Sequence, residues 1–426
     1  MKDKKIKKPE LLIPAGGMDT LKVAMDYGAD AVYMGGQKFG LRAKADNFSI
    51  EEMKEAVRYV HSFGKKVYVT VNIFAHNDDI EGVREYFETL HNEGLDAGDT
   101  AIDALLISDF GIFMLAKEIL PDIDIHISTQ ANNTNYMTYN FWYKQGAKRV
   151  VAARELSLNE LKKIRDNIPS DMEIEAFMHG AMCISYSGRC LLSSYFTGRD
   201  ANKGACTHPC RWKYAVVEEK RPGEYLPVEE DERGTYIFNS KDLCMIEYIP
   251  EMIAVGIDSF KVEGRMKTAL YVAAVTRTYR KAIDDYFESE ELYRANMDYY
   301  KKEIAACTYR QFTTGFYFHK PDENTQIYDN NTYVNNYVYL GCIEEITDSS
   351  ENDKLVTIHQ KNKFTVGEKV SVMAFDGTNI EVTVEEIFDE KMNPMESAPH
   401  PKQFLYIKFD NINGIKPGMV IRVKRL

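Results

Sequence analysis

The chain has 426 residues, 65 acidic and 53 basic, for a net charge of −12. That length exceeds one ordinary domain, so two or three are expected, and 44% hydrophobic residues can fill large packed cores. The charge excludes a globally basic nucleic-acid binder and leaves room for a local basic patch. The N-terminus, MKDKKIKKPELLIPAGG, is basic without the apolar run of a signal peptide. No window reaches 18 apolar residues, so no membrane span is expected. A cytoplasmic chain with reduced thiols follows as the expectation.

Taken in order, the chain alternates short apolar runs with helical spacing. A strand over 9–15 (PELLIPA) is broken by Gly16-Gly17 before a helix over 18–27. A strand over 31–34 (AVYM) closes on Gly35-Gly36. Helix and strand then alternate: helices over 51–63, 79–93, 111–119, 135–145 and 157–167, strands over 66–73, 104–107, 124–129, 149–152 and 172–178. Ser157 with Glu160 three residues on reads as a capping box. A strand over 236–238, a helix over 245–254, a strand over 259–262 and a helix over 268–286 complete the pattern. About eight such units predict a (β/α)₈ TIM-like barrel over 1–320. Active sites of such barrels lie at the C-terminal strand ends. Polar residues stand at those ends: Asn72, Asp109, Gln130, Arg154, His179, Ser240, Lys241, Asp242, Glu263 and Arg265. Each alone also reads as a loop residue or a cap.

The βα rhythm lapses over 181–234, too long for an ordinary loop, so this is read as a cysteine-rich functional insertion. From Arg189 to Arg221 it holds seven basic against three acidic residues, and the aromatics of the insertion, Tyr186, Tyr195, Phe196, Trp212 and Tyr214, interleave with the positive charge. That mix suits phosphates and unpaired bases, or a solvated loop over apolar anchors. A segment over 288–306 is acidic and helical, and 321–331 reads as a linker. Over 332–426, short alternating runs split by turns such as Asp376-Gly377 and Asn413-Gly414 predict a small all-β barrel domain. That domain is acidic on balance, which argues against a strong generic RNA-binding surface there.

Five of the seven cysteines are clustered: Cys183, Cys190, Cys206, Cys210 and Cys244. Six, fifteen and thirty-seven residues separate Cys183, Cys190, Cys206 and Cys244 in turn, and three separate Cys206 from Cys210. No pair has the two-residue gap of a zinc ribbon, and the spacing is not that of a ferredoxin. In a reduced compartment the cluster still reads first as metal ligands or redox groups, with buried apolar cysteines as the alternative. Zinc and a cubane iron–sulfur centre both remain open. Cys307 and Cys342 stand alone and read as packing residues.

The stretch Glu175-Ala-Phe-Met-His-Gly-Ala-Met-Cys183-Ile-Ser-Tyr-Ser-Gly188-Arg-Cys190-Leu-Leu-Ser193 resembles the signature of peptidase family U32, the collagenase-like proteases, at every fixed position. Gly204-Ala-Cys206, Cys210-Arg-Trp212, Ser240-Lys-Asp-Leu-Cys244 and Lys261-Val-Glu-Gly-Arg265 look like its later blocks. The resemblance covers about residues 9–290, and the C-terminal β domain resembles the small barrel that follows in many members. It implies one of two activities: the peptidase of the family label, or cluster-dependent RNA hydroxylation. The size looks most like the members that make 5-hydroxyuridine at the tRNA wobble position with prephenate as a required metabolite. It implies a [4Fe–4S] cluster on Cys183, Cys190, Cys206 and Cys244, with Cys210 competing for one position. In that reading His179, Lys261, Glu263 and Arg265 are the candidate catalytic residues. Gln130, Arg189, Arg199, Lys203, Arg211 and Trp212 are the candidates for contacting tRNA or a small carboxylate metabolite. A peptidase would have to draw on a Cys183–His179 dyad, since no His-Glu-x-x-His helix or Gly-x-Ser-x-Gly elbow is present. A cluster-bearing RNA-binding protein without catalysis is the third reading.

Overall fold

The structure is a computed structural model. It describes residues 7–37, 39–40, 47–182, 190–199, 201, 204–211, 216–217, 225–226, 230–231, 234–235, 241–319, 334–348 and 354–425. Two compact units divide the chain. The first comprises Met1–Met18, Asp30–Met266 and Arg310–Tyr333; the second comprises Asp19–Ala29, Lys267–Tyr309 and Val334–Leu426.

The first unit is built on a closed parallel barrel. Its strands are β1 (Glu10–Pro14), β2 (Ala31–Gly35), β3 (Lys66–Val71), β4 (Ala104–Ile107), β5 (Asp124–Ile127), β6 (Arg149–Val151) and β7 (Glu173–Ala181). The ring closes through Ser259–Val262, parallel to β7 at Ser259↔Glu175 and to β1 at Phe260↔Leu11. The expected (β/α)₈ fold is therefore present, with 259–262 as its eighth strand; the predicted strand over 236–238 lies outside the described residues. Runs such as ALLI and AVYMG are buried throughout, as strands covered on both faces must be. The Ser157 capping box forms: the backbone N–H of Glu160 donates to Ser157 Oγ at 3.3 Å, and the N–H of Ser157 to Glu160 Oε2 at 2.8 Å.

One predicted element changes. The helix expected over 245–254 is a 3₁₀ turn, Ile246–Tyr248, followed by an α-helix, Ile249–Val255. Pro250 has no N–H to donate, so it fits the first helical turn and not the interior. Residues Asp242–Cys244 are left as a strand, β8, antiparallel to β7 with Cys244 opposite His179. On its other side β8 takes Phe312–Thr313 in parallel. Asp242, one of the polar strand-end residues, is locked by Arg310 at 2.6 and 2.9 Å and is 2% exposed. It is a structural ion pair.

The second unit is a closed antiparallel barrel of six strands: Tyr337–Asp348, Lys354–His359, Lys369–Met373, Asn379–Phe388, Phe404–Phe409 and Val420–Lys424. The ring runs through 369–373, 420–424, 337–348, 354–359, 404–409 and 379–388, and closes between its first and last members. Its core is aliphatic and aromatic, including Leu340, Val356, Ile358, Leu405 and Ile407. Helices Ala269–Glu288 and Met297–Ile304 join this unit through a buried triad. Glu303 accepts from Arg277 at 2.6 Å and from Arg422 at 2.9 Å, all three nearly unexposed. Burial would raise the Glu303 carboxyl pKa, but the two guanidiniums hold it below the usual value.

Candidate functional site

Alternation along a strand sends every second residue into the barrel, and here the interior is charged. At the N-terminal ends of the strands, Arg149 bonds Glu10 at 2.6 Å, Glu173 at 2.7 Å and Glu175 at 3.0 Å. Glu10 also accepts from Tyr68 Oη at 2.7 Å and Ser259 Oγ at 3.0 Å. Burial works against the Glu10 carboxylate, yet Arg149 and these hydrogen bonds hold its pKa below normal. His126 meets the Tyr68 ring edge at 4.7 Å. Burial first, then the cations Arg149 and Lys261, drive its pKa well down, so the ring is neutral.

One layer higher, Lys261 Nζ donates to Glu175 Oε1 at 2.6 Å and sits 4.3 Å from the Tyr33 ring centre. Burial lowers the pKa of this lysine, and Glu175 opposes the shift. Above it, Arg154 lies 3.9 Å over the Phe177 ring and meets Glu263 at 3.4 Å. Arg265 reaches across to Thr70 Oγ1 at 2.9 Å and Asn47 Oδ1 at 2.7 Å. Gly35 leaves room for it, since a Cβ there would lie 2.5 Å from the guanidinium. The Lys261-Val-Glu263-Gly-Arg265 block thus sets three charged side chains two residues apart. Glu175 and Phe177 of the signature hold the first two layers. Gly180 has φ +111°, and a Cβ there would stand 2.4 Å from the Glu263 carbonyl, so only glycine lets the two strands approach.

The loop after β5 adds a polar wall. Ser128 Oγ accepts from Asn72 Nδ2 at 3.3 Å. Thr129–Ala131 makes a 3₁₀ turn ending at Asn132, in the left-handed region at φ 54°. The buried Gln130 Oε1, Asn132 Oδ1 and Asn133 Nδ2 have no hydrogen-bond partner among the described residues. Asn133 Oδ1 accepts from Trp142 Nε1 at 2.9 Å, which fixes the loop to the helix Tyr136–Lys144.

The insertion brings the thiols. Helix Leu192–Thr197 carries Cys190 two residues before its start. Ser193, the last residue of the signature, is fully buried, and its Oγ accepts from the N–H of Thr207 at 3.0 Å. That bond ties the segment carrying Cys206 to the helix. The N–H of His208 donates to Cys206 Sγ at 3.4 Å, and Cys210 lies in the 3₁₀ turn Pro209–Arg211. Cys190, Cys206, Cys210 and Cys244 are half-buried, and none forms a disulfide. This donor chemistry fits an iron–sulfur cluster or zinc. Among the described residues no three His, Cys, Asp or Glu side chains stand together as metal ligands. Cys183, Arg189, Lys203, Trp212 and Ser240 lie outside the described residues. Arg199 is exposed near Tyr195, which is 82% exposed and packs edge-on to Phe196 at 5.1 Å. His179 is buried opposite Cys244, its ring 5.6 Å from Phe312.

Residues 16–327 match the model of peptidase family U32. The chain belongs to peptidase family U32. Residues 335–422 match the U32 C-terminal domain. Among U32 relatives, the chain is 39% identical to tRNA hydroxylation protein P1 of Bacillus subtilis, covering 98% of this chain and 95% of that protein. It is 37% identical to tRNA hydroxylation protein P of Escherichia coli over 92% of each. It is 34% identical to the 23S rRNA 5-hydroxycytidine C2501 synthase of Escherichia coli, over 72% of this chain and 44% of that one.

Sequence reasoning singled out Lys261, Glu263 and Arg265, and the structure sets Arg154 beside Glu263. It missed the roles of Glu175, Phe177 and Arg149. The signal was available for the first two: both are fixed positions of the U32 signature, two residues apart on one strand.

Proposed function

We propose that this chain hydroxylates RNA, its substrate being the wobble uridine of tRNA and its product 5-hydroxyuridine. The observation that carries the reading is the stacking of the two U32 blocks in one barrel: Glu175 on Lys261, and Phe177 under the Arg154 that meets Glu263. The names of the relatives supply the class of substrate. A [4Fe–4S] cluster on Cys183, Cys190, Cys206 and Cys244 would supply one-electron chemistry when bound.

The chain's own groups have separate tasks in this reading. Tyr195 and Phe196, exposed on their short helix, stack an unpaired base, with Arg199 and the insertion's other cations on its phosphates. Arg154 and Arg265 bind the carboxylates of prephenate. Glu263, beside Arg154, holds or moves a proton at the reacting ring. Gln130 and Asn132 offer acceptors to an N–H of the base or the metabolite. Lys261 is a positioning residue, since Glu175 and two aromatic rings enclose it.

Anaerobic purification tests the cofactor. We expect a brown protein with iron and sulfide in equal amounts, and loss of colour in C206S and C244S. Nucleoside analysis of tRNA from a deletion strain tests the reaction: 5-hydroxyuridine derivatives should vanish and return with the intact gene but not with E263Q. Unchanged derivatives in a strain without a second pathway would rule the reading out. A colourless protein that cleaves gelatin would favour the peptidase.

A further inference from the structure

The second barrel is acidic in sum, but most of its cations gather at one end of its axis. The strands 354–359, 379–388 and 420–424 end, and 337–348, 369–373 and 404–409 begin, at one rim. That rim carries Lys361, Lys363, Lys369, Lys402, Lys424 and Arg425. The acids there are Glu396, Glu368, which Arg425 already binds, Asp19, 3.8 Å from Lys361, and Asp389 and Glu390 in the turn after 379–388, where Lys391 also stands; Glu344 lies 3.5 Å from the His359 ring nitrogen. Asp348, Asp376 and Asp410 stand at or beyond the strand ends of the other rim. The basic loops are knit together. Arg425 donates to the Lys363 carbonyl at 3.0 Å, the N–H of Lys402 to the Gln360 carbonyl at 2.7 Å, and Phe364 pairs with Ala398. A groove of about 600 Å³ opens between the segment 363–368 and Arg425.

Aromatic rings adjoin the same rim. His359 and Phe404 are cross-strand neighbours with ring centres 5.2 Å apart, and Phe404 meets Tyr406 at 5.3 Å. All three alternate with the core residues Ile358, Leu405 and Ile407, so they face outward. The His359 side chain is 52% exposed.

We propose that this rim docks an unpaired stretch of the RNA substrate, with the lysines on phosphates and bases on the Phe404–Tyr406 face. The inference rests on the RNA reading above and gives it a second contact surface. Cations alone would suit any polyanion; the outward aromatic ladder beside them favours nucleic acid.

The test is binding of the full chain to unfractionated tRNA, followed across salt concentrations. The triple variant K363E/K402E/K424E should weaken binding at least tenfold near 0.1 M salt and lower the log–log salt slope by about two. K354E, at the opposite rim, should change affinity less than twofold. F404A should weaken binding about fivefold or more with the salt slope kept. If the intact chain binds tRNA and the triple variant binds equally well, or K354E weakens binding as much, the docking surface is wrong and the RNA reading stands. If the intact chain binds no tRNA even at low salt, the RNA reading falls and takes this surface with it. If polyglutamate displaces tRNA charge for charge, the rim serves an acidic protein and the proposal is overturned.

Discussion

The two ends of the first barrel use the same residue types and do opposite things with them. At the N-terminal end, one arginine is shared by three carboxylates, and Tyr68 and Ser259 occupy further acceptor sites on Glu10. At the C-terminal end, Arg154 meets Glu263 at the longer distance of 3.4 Å, and the buried atoms Gln130 Oε1, Asn132 Oδ1 and Asn133 Nδ2 lack partners among the described residues. A closed network holds a fold; one with unanswered groups is ready for a ligand. The difference agrees with where such barrels keep stability and chemistry.

Breaking the closed end should have the largest effect on stability. R149M takes the shared cation from Glu10 and Glu173 and leaves Glu175 with Lys261 alone, and should cost about 3–5 kcal/mol in denaturant unfolding. G180A acts between the ends: its Cβ would press on the Glu263 carbonyl at a backbone angle that disfavours side chains. We expect about 1–3 kcal/mol of destabilisation and a disproportionate loss of the proposed RNA hydroxylation. R154M sharpens the contrast from the other side. Hydroxylation should fall at least tenfold while stability drops by less than in R149M, since Arg154 makes one ion pair at 3.4 Å where Arg149 makes three shorter ones. N132G should be smallest: relief of the left-handed backbone makes stability neutral or higher by up to about 1 kcal/mol, while the lost amide weakens substrate binding. Equal losses of stability in R149M and R154M would erase the distinction.

Acid should reveal the closed end too. Glu10 has a folded pKa below its ordinary 4.5. Its stabilisation is therefore fully present above that value and is lost as pH falls through the folded pKa. Glu303 obeys the same sign in the second unit. Unfolding free energy should decline below about pH 4.5, and E10Q should flatten part of that slope.

Much of this was legible in the chain. Apolar runs separated by helical spacing located the strands, and Ser157 with Glu160 located a helix start. The U32 blocks pointed to Lys261, Glu263 and Arg265. What the pattern left open was inside from outside. MEIEAFM alternates acidic and apolar residues, which ordinarily puts the acids in water. Here Glu175 faces the barrel interior, because Arg149 and Lys261, from strands distant in sequence, face it there. Alternation defines two faces; only partners elsewhere in the chain decide which one is buried. Asp242 misled for the same reason, since its partner Arg310 lies 68 residues on. Net charge hid the basic rim of the second barrel, because a sum over a domain carries no position.

The triad of Arg277, Glu303 and Arg422 has a consequence for synthesis. Glu303 finds Arg277 26 residues upstream, but Arg422 follows 119 residues later. At a translation rate of roughly 5–20 residues per second, the interval is about 6–24 s. Throughout it the strand Val420–Lys424, which pairs with both 369–373 and 337–348, has not been made. A ribosome stalled there would present two open sheet edges at once, the kind of surface on which nascent chains aggregate.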